Sequence, residues 1–185
     1  MKILCVVGMP GSGKTIVSDK AKQLGLFTLT IDEIIREELQ RRGMLYTWKN
    51  ERRVDEWFHE NPRELMRRIV NKITGTKNQD KIVIEGLSSS EQFNHLRERI
   101  QNSYFSIFAV HTPPELRWKW EKDRRDYHIG GYIEAKQRDR IQTERGTPEL
   151  IAMADHMIIN DGDLMEFRKT VKDKLIDILN IDVKR

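Results

Sequence analysis

Apolar residues fall along this chain in short unbroken runs that alternate with longer stretches of helical spacing. The runs at 2–7, 27–31, 81–85, 104–110 and 156–160 are strand candidates. The first, Lys2-Ile3-Leu4-Cys5-Val6-Val7, is rich in β-branched residues and has no polar alternation, as a parallel strand buried on both faces requires. Between the runs the spacing predicts helices over 14–24, 32–42, 62–73, 89–101, 114–125, 133–144, 148–154 and 163–179. In the first of these, Ile16, Val17, Ala21 and Leu24 share one face. Start signals agree: Asn61-Pro62, Ser88 or Ser89, and Thr147-Pro148 look like helix caps followed by a first turn. Gly43, Gly75, Gly130-Gly131 and Gly162 mark breaks. Strands alternating with helices predict a parallel sheet covered on both faces, with strand 81–85 beside strand 2–7. Ligands of such sheets bind at the carboxyl ends of the strands.

A chain of 185 residues is long enough to bury a sizeable core without staples. Its single cysteine, Cys5, rules out a disulfide framework and reads as a small core residue. No apolar stretch approaches the length of a membrane span, and the N-terminal run is too short for a secretory signal, so the expectation is a cytoplasmic protein. Lys and Arg number 33 against 29 Asp and Glu, a net charge of +4. That mild excess suits a polyanionic small ligand as well as nucleic acid.

The candidate chemistry begins at the end of the first strand. Gly8-Met9-Pro10-Gly11-Ser12-Gly13-Lys14-Thr15 fits the phosphate-loop pattern G-x-x-x-x-G-K-[ST] at every fixed position. Its glycines let successive backbone N–H groups point into one anion-binding nest, and the following helix aims its N-terminus at the same place. Lys14 is then the partner of the β- and γ-phosphates of ATP, and the Thr15 hydroxyl a ligand for Mg²⁺.

The ends of the next two strands supply the remaining candidates. Asp32 follows the second strand and Arg36 stands one helical turn later. A carboxylate there can orient a nucleophile, and an arginine can hold an acceptor's anionic group as a bidentate fork. Lys81-Ile82-Val83-Ile84-Glu85 is an apolar strand ending in an acid, the Walker B arrangement, which places Glu85 on Mg²⁺ opposite Thr15 or against the acceptor.

Segment 115–145 carries the basic residues Arg117, Lys119, Lys122, Arg124, Arg125, Lys136, Arg138, Arg140 and Arg145 among seven acids. Much of it is a solvated helical face. Arg125 and Arg138, on either side of Gly130-Gly131, are the candidates for a closing loop that holds charge on a transferring phosphoryl group. Segment 44–60 interleaves Tyr46, Trp48, Arg52, Arg53, Trp57, Phe58 and His59. It reads either as a clamp for a base and phosphate or as an aromatic core under a helical insertion, the latter for Trp57 and Phe58. The five histidines show no metal-ligand spacing.

Taken together, the phosphate loop, Asp32 with Arg36, the Ile84-Glu85-Gly86 turn and the arginine-flanked lid resemble the nucleoside monophosphate kinase-like group. Three stretches resemble dephospho-CoA kinase and the adenylate kinase-related proteins of archaea. They are Val110-His111-Thr112-Pro113-Pro114-Glu115-Leu116-Arg117, Arg138-Asp139-Arg140 and Ala154-Asp155-His156-Met157-Ile158-Ile159-Asn160-Asp161-Gly162. The resemblance implies a three-layer α/β/α P-loop fold with a parallel five-stranded sheet. It implies one domain over 1–185, with a helical acceptor-side insertion at about 32–75 and a small helical lid at about 122–140. It also implies that Asn160 and Gly162 lie near the adenine of ATP. Glu85-Gly86-Leu87-Ser88-Ser89 departs from the Asp-Gly-x-Arg-Ser of the related archaeal proteins, which removes one acceptor-phosphate contact.

The functional expectation is a kinase moving the γ-phosphoryl of MgATP to a nucleotide or nucleotide-like acceptor. The alternatives are a nucleotide-dependent interaction protein with weak ATPase activity, and a polynucleotide 5′-hydroxyl kinase.

Overall fold

The structure is a computed structural model that describes residues 1–76, 79–123 and 132–181, with 121–123, 132 and 133 described by their backbone alone. In chain order the elements are β1 (Lys2–Val7), α1 (Lys14–Gln23), β2 (Phe27–Thr30), α2 (Ile31–Arg41), α3 (Trp48–Glu60), α4 (Pro62–Thr74) and β3 (Lys81–Glu85). There follow α5 (Ser90–Arg99), β4 (Tyr104–His111), α6 (Pro114–Asp123), α7 (Tyr132–Arg145), α8 (Thr147–Ala152), β5 (His156–Ile159) and α9 (Leu164–Leu179).

The five strands form one parallel sheet in the order β2-β3-β1-β4-β5. β1 is thus central, and β3 is its neighbour, with Val6 opposite Glu85. Strand alternation sends Ile3, Cys5 and Val7 into one core and Leu4 and Val6 into the other. The first core takes Ile34 and Leu39 from α2, Phe58 from α3, Ile69 from α4 and Leu96 from α5. The second takes Val17 and Ala21 from α1 and Phe167, Val171 and Leu175 from α9. These cores make the three layers, and burying each large apolar side chain contributes about 1.5–3 kcal/mol. Burial also pushes the Cys5 thiol far up, which keeps it protonated and inert.

Local signals explain most element starts. Thr30 and Glu33 form a capping box at α2, each side chain bonding the other's backbone N–H at 3.1 Å. Ser89, not Ser88, caps α5. Asn61 is the cap residue of α4, as expected, but not through its side chain, and the expected cap of α8 is corrected. Asn61 stands before Pro62, but its amide donates to Trp57 O at 2.9 Å and leaves the start of α4 uncapped by a side chain. At α8 the N-cap is Gly146 in the left-handed region, so Thr147 is already helical and its hydroxyl bonds elsewhere.

Helix α3 was not among the expected helices. Its start is capped by Thr47, and its buried face is Val54 and Phe58, one turn apart. Phe58 is core, as expected, and Trp57 packs partly buried against it. α2 is tied to α4 through Glu38, which is fully buried and accepts from Arg41 and Arg68 at 2.7 Å and from Arg42. Among the described residues, no helix is long and apolar enough to cross a membrane.

Candidate active site at the phosphate loop

The loop between β1 and α1 takes the shape its glycines allow. Gly13 sits at φ 99°, and a Cβ there would lie 2.6 Å from Asn160 Nδ2. A Cβ on Gly8 would lie 2.5 Å from Val110 O, on the neighbouring strand. Both positions therefore require glycine.

The loop's carbonyls are held from behind. Ser12 O accepts from Thr112 Oγ1 and from Asn160 Nδ2, both at 3.0 Å, and Pro10 O accepts from Arg117 Nη1 at 3.0 Å. Turning carbonyls outward onto these donors leaves the concave side of the loop to N–H groups, the polarity an anion needs. Lys14 curls over the loop, its ammonium donating to Gly8 O at 2.9 Å and Met9 O at 3.1 Å.

Thr15 and Glu85 meet beside Lys14, the Thr15 hydroxyl donating to Glu85 Oε1 at 3.3 Å. Glu85 is 7% exposed, and its Oε2 has no hydrogen-bond partner. Burial pushes its carboxyl above the ordinary carboxylate range; the Lys14 ammonium pulls it back and Asp32 pushes it up again. Ser18 lies close enough to favour the charged form, though without a hydrogen bond of good geometry. Two hard oxygen donors, with one carboxylate oxygen to spare, fit Mg²⁺, which binds through one or two protein oxygens plus phosphates and water. Among the described residues no group of three or more His, Cys, Asp or Glu side chains could hold a metal by itself, so the fit is to a metal that arrives with phosphate.

From the loop a cavity of about 420 Å³ runs toward α2, α3 and α7, within the range of small-ligand sites. It is lined by Lys14, Thr15 and Glu85 and also by Asp32, Arg36, Glu51, Leu87, Gln92 and Arg138. Asp32 comes from the first turn of α2, directly after β2. Arg36, one turn on, donates to Tyr46 Oη at 3.3 Å and lies 5.1 Å from that ring's centroid. Arg138 reaches in from α7, its guanidinium 5.4 Å from the Trp48 ring centroid. Glu51 is half-buried, and its carboxyl is raised by burial and by Asp32. Arg145 pairs with Asp55 at 2.7 Å in the same wall.

The structure thus gathers Gly8, Pro10, Gly11, Lys14, Thr15, Asp32, Arg36, Glu85 and Arg138 around one cavity. Met9 and Ser12 lie in the loop itself. Asn160 is buried against the back of the loop through Ser12, while Gly162 stands just beyond it with open space around its Cα. Arg125 and Gly130-Gly131 lie outside the described residues. Sequence reasoning missed the loop-holding donors Thr112 and Arg117 as well as Glu51 and Gln92. Thr112 was legible in principle, as the first residue after β4, where ligands gather.

A family model described as an AAA domain matches residues 4–142. The UPF0200 protein of Thermococcus gammatolerans is 34% identical over 188 residues, which span 96% of this chain and 97% of that protein. That of Pyrococcus abyssi is 30% identical over 174 residues, spanning 92% and 93%. Among solved structures, shikimate kinase from Acinetobacter baumannii, in complex with shikimate, superposes with a TM-score of 0.60 at 22% identity over 99% of this chain and 95% of that one. A gluconokinase from Sinorhizobium meliloti gives a TM-score of 0.58 at 14% identity over 99% and 98%. At these identities the likeness is one of fold: a P-loop kinase fold with an all-parallel five-stranded sheet.

Proposed function

Because the chain belongs to the AAA domain family, alongside the UPF0200 proteins of archaea, we propose that it is an ATP-dependent small-molecule kinase. It passes the γ-phosphoryl group of MgATP to a nucleotide or nucleotide-like acceptor. The observation that carries this reading is that one cavity is lined both by Lys14 and Thr15 of the phosphate loop and by Asp32, Arg36 and Arg138. A loop that only bound and released nucleotide has no need of a built chamber beyond the terminal phosphate. The likeness in fold to a shikimate kinase and a gluconokinase supports the same class.

Phosphoryl transfer is mostly positioning and charge neutralisation. The loop N–H groups and Lys14 hold the phosphates. Bound Mg²⁺ supplies charge neutralisation, with Thr15 and Glu85 as the residues that would hold it. Asp32 orients the acceptor's attacking oxygen and accepts its hydrogen bond. Arg36 fixes an anionic group of the acceptor. Arg138, on α7, neutralises charge on the transferring group, a role the lid arginine Arg125 shares in this reading. Gly162 borders the space left for the base.

A second reading is a nucleotide-dependent interaction protein with slow hydrolysis. It is favoured by Ser88, a buried residue of the cavity wall that stands at the arginine position of the Asp-Gly-x-Arg-Ser pattern of the related archaeal proteins.

The deciding experiment measures ATP turnover against nucleoside monophosphates, dephospho-CoA, small hydroxyl compounds and RNA ends. Turnover stimulated by one small acceptor supports the kinase. Slow turnover indifferent to every acceptor supports the second reading. Stimulation by RNA 5′ ends alone supports a polynucleotide kinase.

A further inference from the structure

Arg117 is only 3% exposed and sits on α6, behind the phosphate loop rather than in the cavity. Its guanidinium is engaged on every side. Nε donates to Thr112 O at 3.0 Å, and Nη1 donates to Pro10 O at 3.0 Å. Nη1 and Nη2 also grip the two oxygens of Asp139 at 2.6 and 2.8 Å, a bidentate fork. Trp118 Nε1 adds a third bond to Asp139 at 3.0 Å. Asp139 belongs to α7 and is the direct neighbour of Arg138, which lines the cavity.

A buried ion pair is weak evidence of stability, since well-packed apolar residues of the same volume do as well or better. What it supplies is fixed geometry. Here one planar group touches the phosphate loop, the loop after β4 and the helix that carries Arg138. Thr112 closes the circuit, because its carbonyl receives Arg117 while its hydroxyl holds Ser12 O.

We propose that Arg117 is a positioning residue: through Pro10 on one side and Asp139 on the other, it couples occupancy of the phosphate loop to the placement of α7 and of Arg138. Phosphate in the nest settles the loop's backbone and with it Pro10 O. Arg117 follows, Asp139 follows Arg117, and Arg138 is brought to its working position. By linkage, a correctly placed α7 favours nucleotide in return. The proposal rests on the reading that the loop binds nucleotide.

Hydrogen exchange on the full chain tests it, with and without a non-hydrolysable ATP analogue and Mg²⁺. In the wild type, nucleotide should slow exchange at residues 8–15 and, through the coupling, at least about threefold across α7. Asp139→Asn and Arg117→Lys should each keep protection at 8–15 and abolish it across α7. Each should also raise the nucleotide Kd about fivefold, the low end of measured couplings. Arg140→Ala, on the exposed face of α7, should change neither. If the ion-pair variants do not fold, Trp118→Phe decides, with an expected loss of about half the protection across α7. α7 protection that survives in the folded variants, even with a lowered Tm, means a merely structural pair and overturns the proposal. Protection at 8–15 of the wild type that stops short of α7 overturns it as well. No protection at 8–15 of the wild type would instead sink the nucleotide reading on which it stands.

Discussion

Thr15 and Glu85 lie 70 positions apart in the chain, yet their side chains meet at 3.3 Å. The contact follows from topology: β1 and β3 pair in parallel with Val6 opposite Glu85, so the acid ends its strand beside the loop that begins where β1 ends. The meeting places a carboxylate in a nearly dry position with one oxygen unpartnered. Burying a carboxylate with an oxygen unpartnered costs stability, which the Lys14 ammonium offsets in part.

Glu85→Gln should therefore raise stability and lower function together. Burial lifts the folded carboxyl above its unfolded value. The folded state then holds the proton more tightly, so the wild type loses stability as pH rises through that range. The glutamine carries no charge to desolvate. Thermal denaturation without Mg²⁺ should show the variant about 2–4 °C higher at pH near 7, the shift of roughly 1 kcal/mol in a domain this size, with the gap closing toward about pH 4. Mg²⁺-dependent nucleotide affinity should fall about tenfold or more. A variant no more stable than the wild type at neutral pH would contradict the assignment of strain to Glu85.

Lys14→Ala should weaken binding of ATP by at least about tenfold in calorimetry, the loss of a charge-assisted contact worth roughly 1.5–3 kcal/mol. It should also push Glu85 further up, because the Lys14 ammonium is the charge that pulls the carboxyl down. Mg²⁺ dependence should then shift to higher pH in the variant. Unchanged ATP affinity would remove the phosphate loop from the mechanism.

The sheet was legible because most of its strands are compact apolar runs, and the loop because its pattern is set by backbone chemistry. Asp32, Arg36 and Glu85 followed from the rule that ligands gather at strand ends. Arg117 was not legible as a loop-holding residue: among nine basic residues in a densely charged segment, nothing local distinguishes the one that faces inward. Glu38 is similar, a charged residue in a charged helix that proves fully buried. Asn160 was singled out for the base, not for its contact with Ser12 O, 148 positions away, which only the closed fold brings about. Helix α3 was obscured because only Val54 and Phe58 of its thirteen residues are buried, too few apolar positions to show a helical period among aromatic and charged neighbours.

Glu38→Gln tests that buried network. Hydrogen bonds from Arg41, with further help from Arg42 and Arg68, hold the Glu38 carboxyl well below the ordinary range against the effect of burial. A depressed folded value means that its stability is present above the unfolded value and is lost as pH falls toward the folded one. Only Glu38 is fully buried, and its three arginines reach the surface, so the substitution leaves no charge stranded inside and costs about 1.5–3 kcal/mol, the range for a hydrogen bond to a charged group. Denaturant unfolding near pH 7 should show a loss of that size, shrinking below about pH 4 as the wild type loses the same contribution. A loss independent of pH would mean that packing, not charge, holds α2 to α4.

Arg36 and Arg138 line the same cavity from different helices, and their variants should separate in kinetics once an acceptor is found. Arg36 stands on α2, resting on Tyr46, where it can hold an anionic group of the acceptor before and during transfer alike. Such uniform binding affects KM, so Arg36→Ala should raise the acceptor KM about tenfold and leave kcat nearly unchanged. Arg138 stands on α7, stacked near Trp48, and its proposed work is on charge that spreads over the equatorial oxygens only as the phosphoryl group moves. Arg138→Ala should lower kcat and kcat/KM together, by about 10²-fold or more, with ATP affinity in calorimetry nearly unchanged. The two arginines exchange neither role, because one is fixed to the floor beside Asp32 and the other to a helix whose placement depends on Arg117 and Asp139. Normal turnover by Arg138→Ala with every productive acceptor would leave that residue on a solvated helical face and remove the transition-state role given to α7.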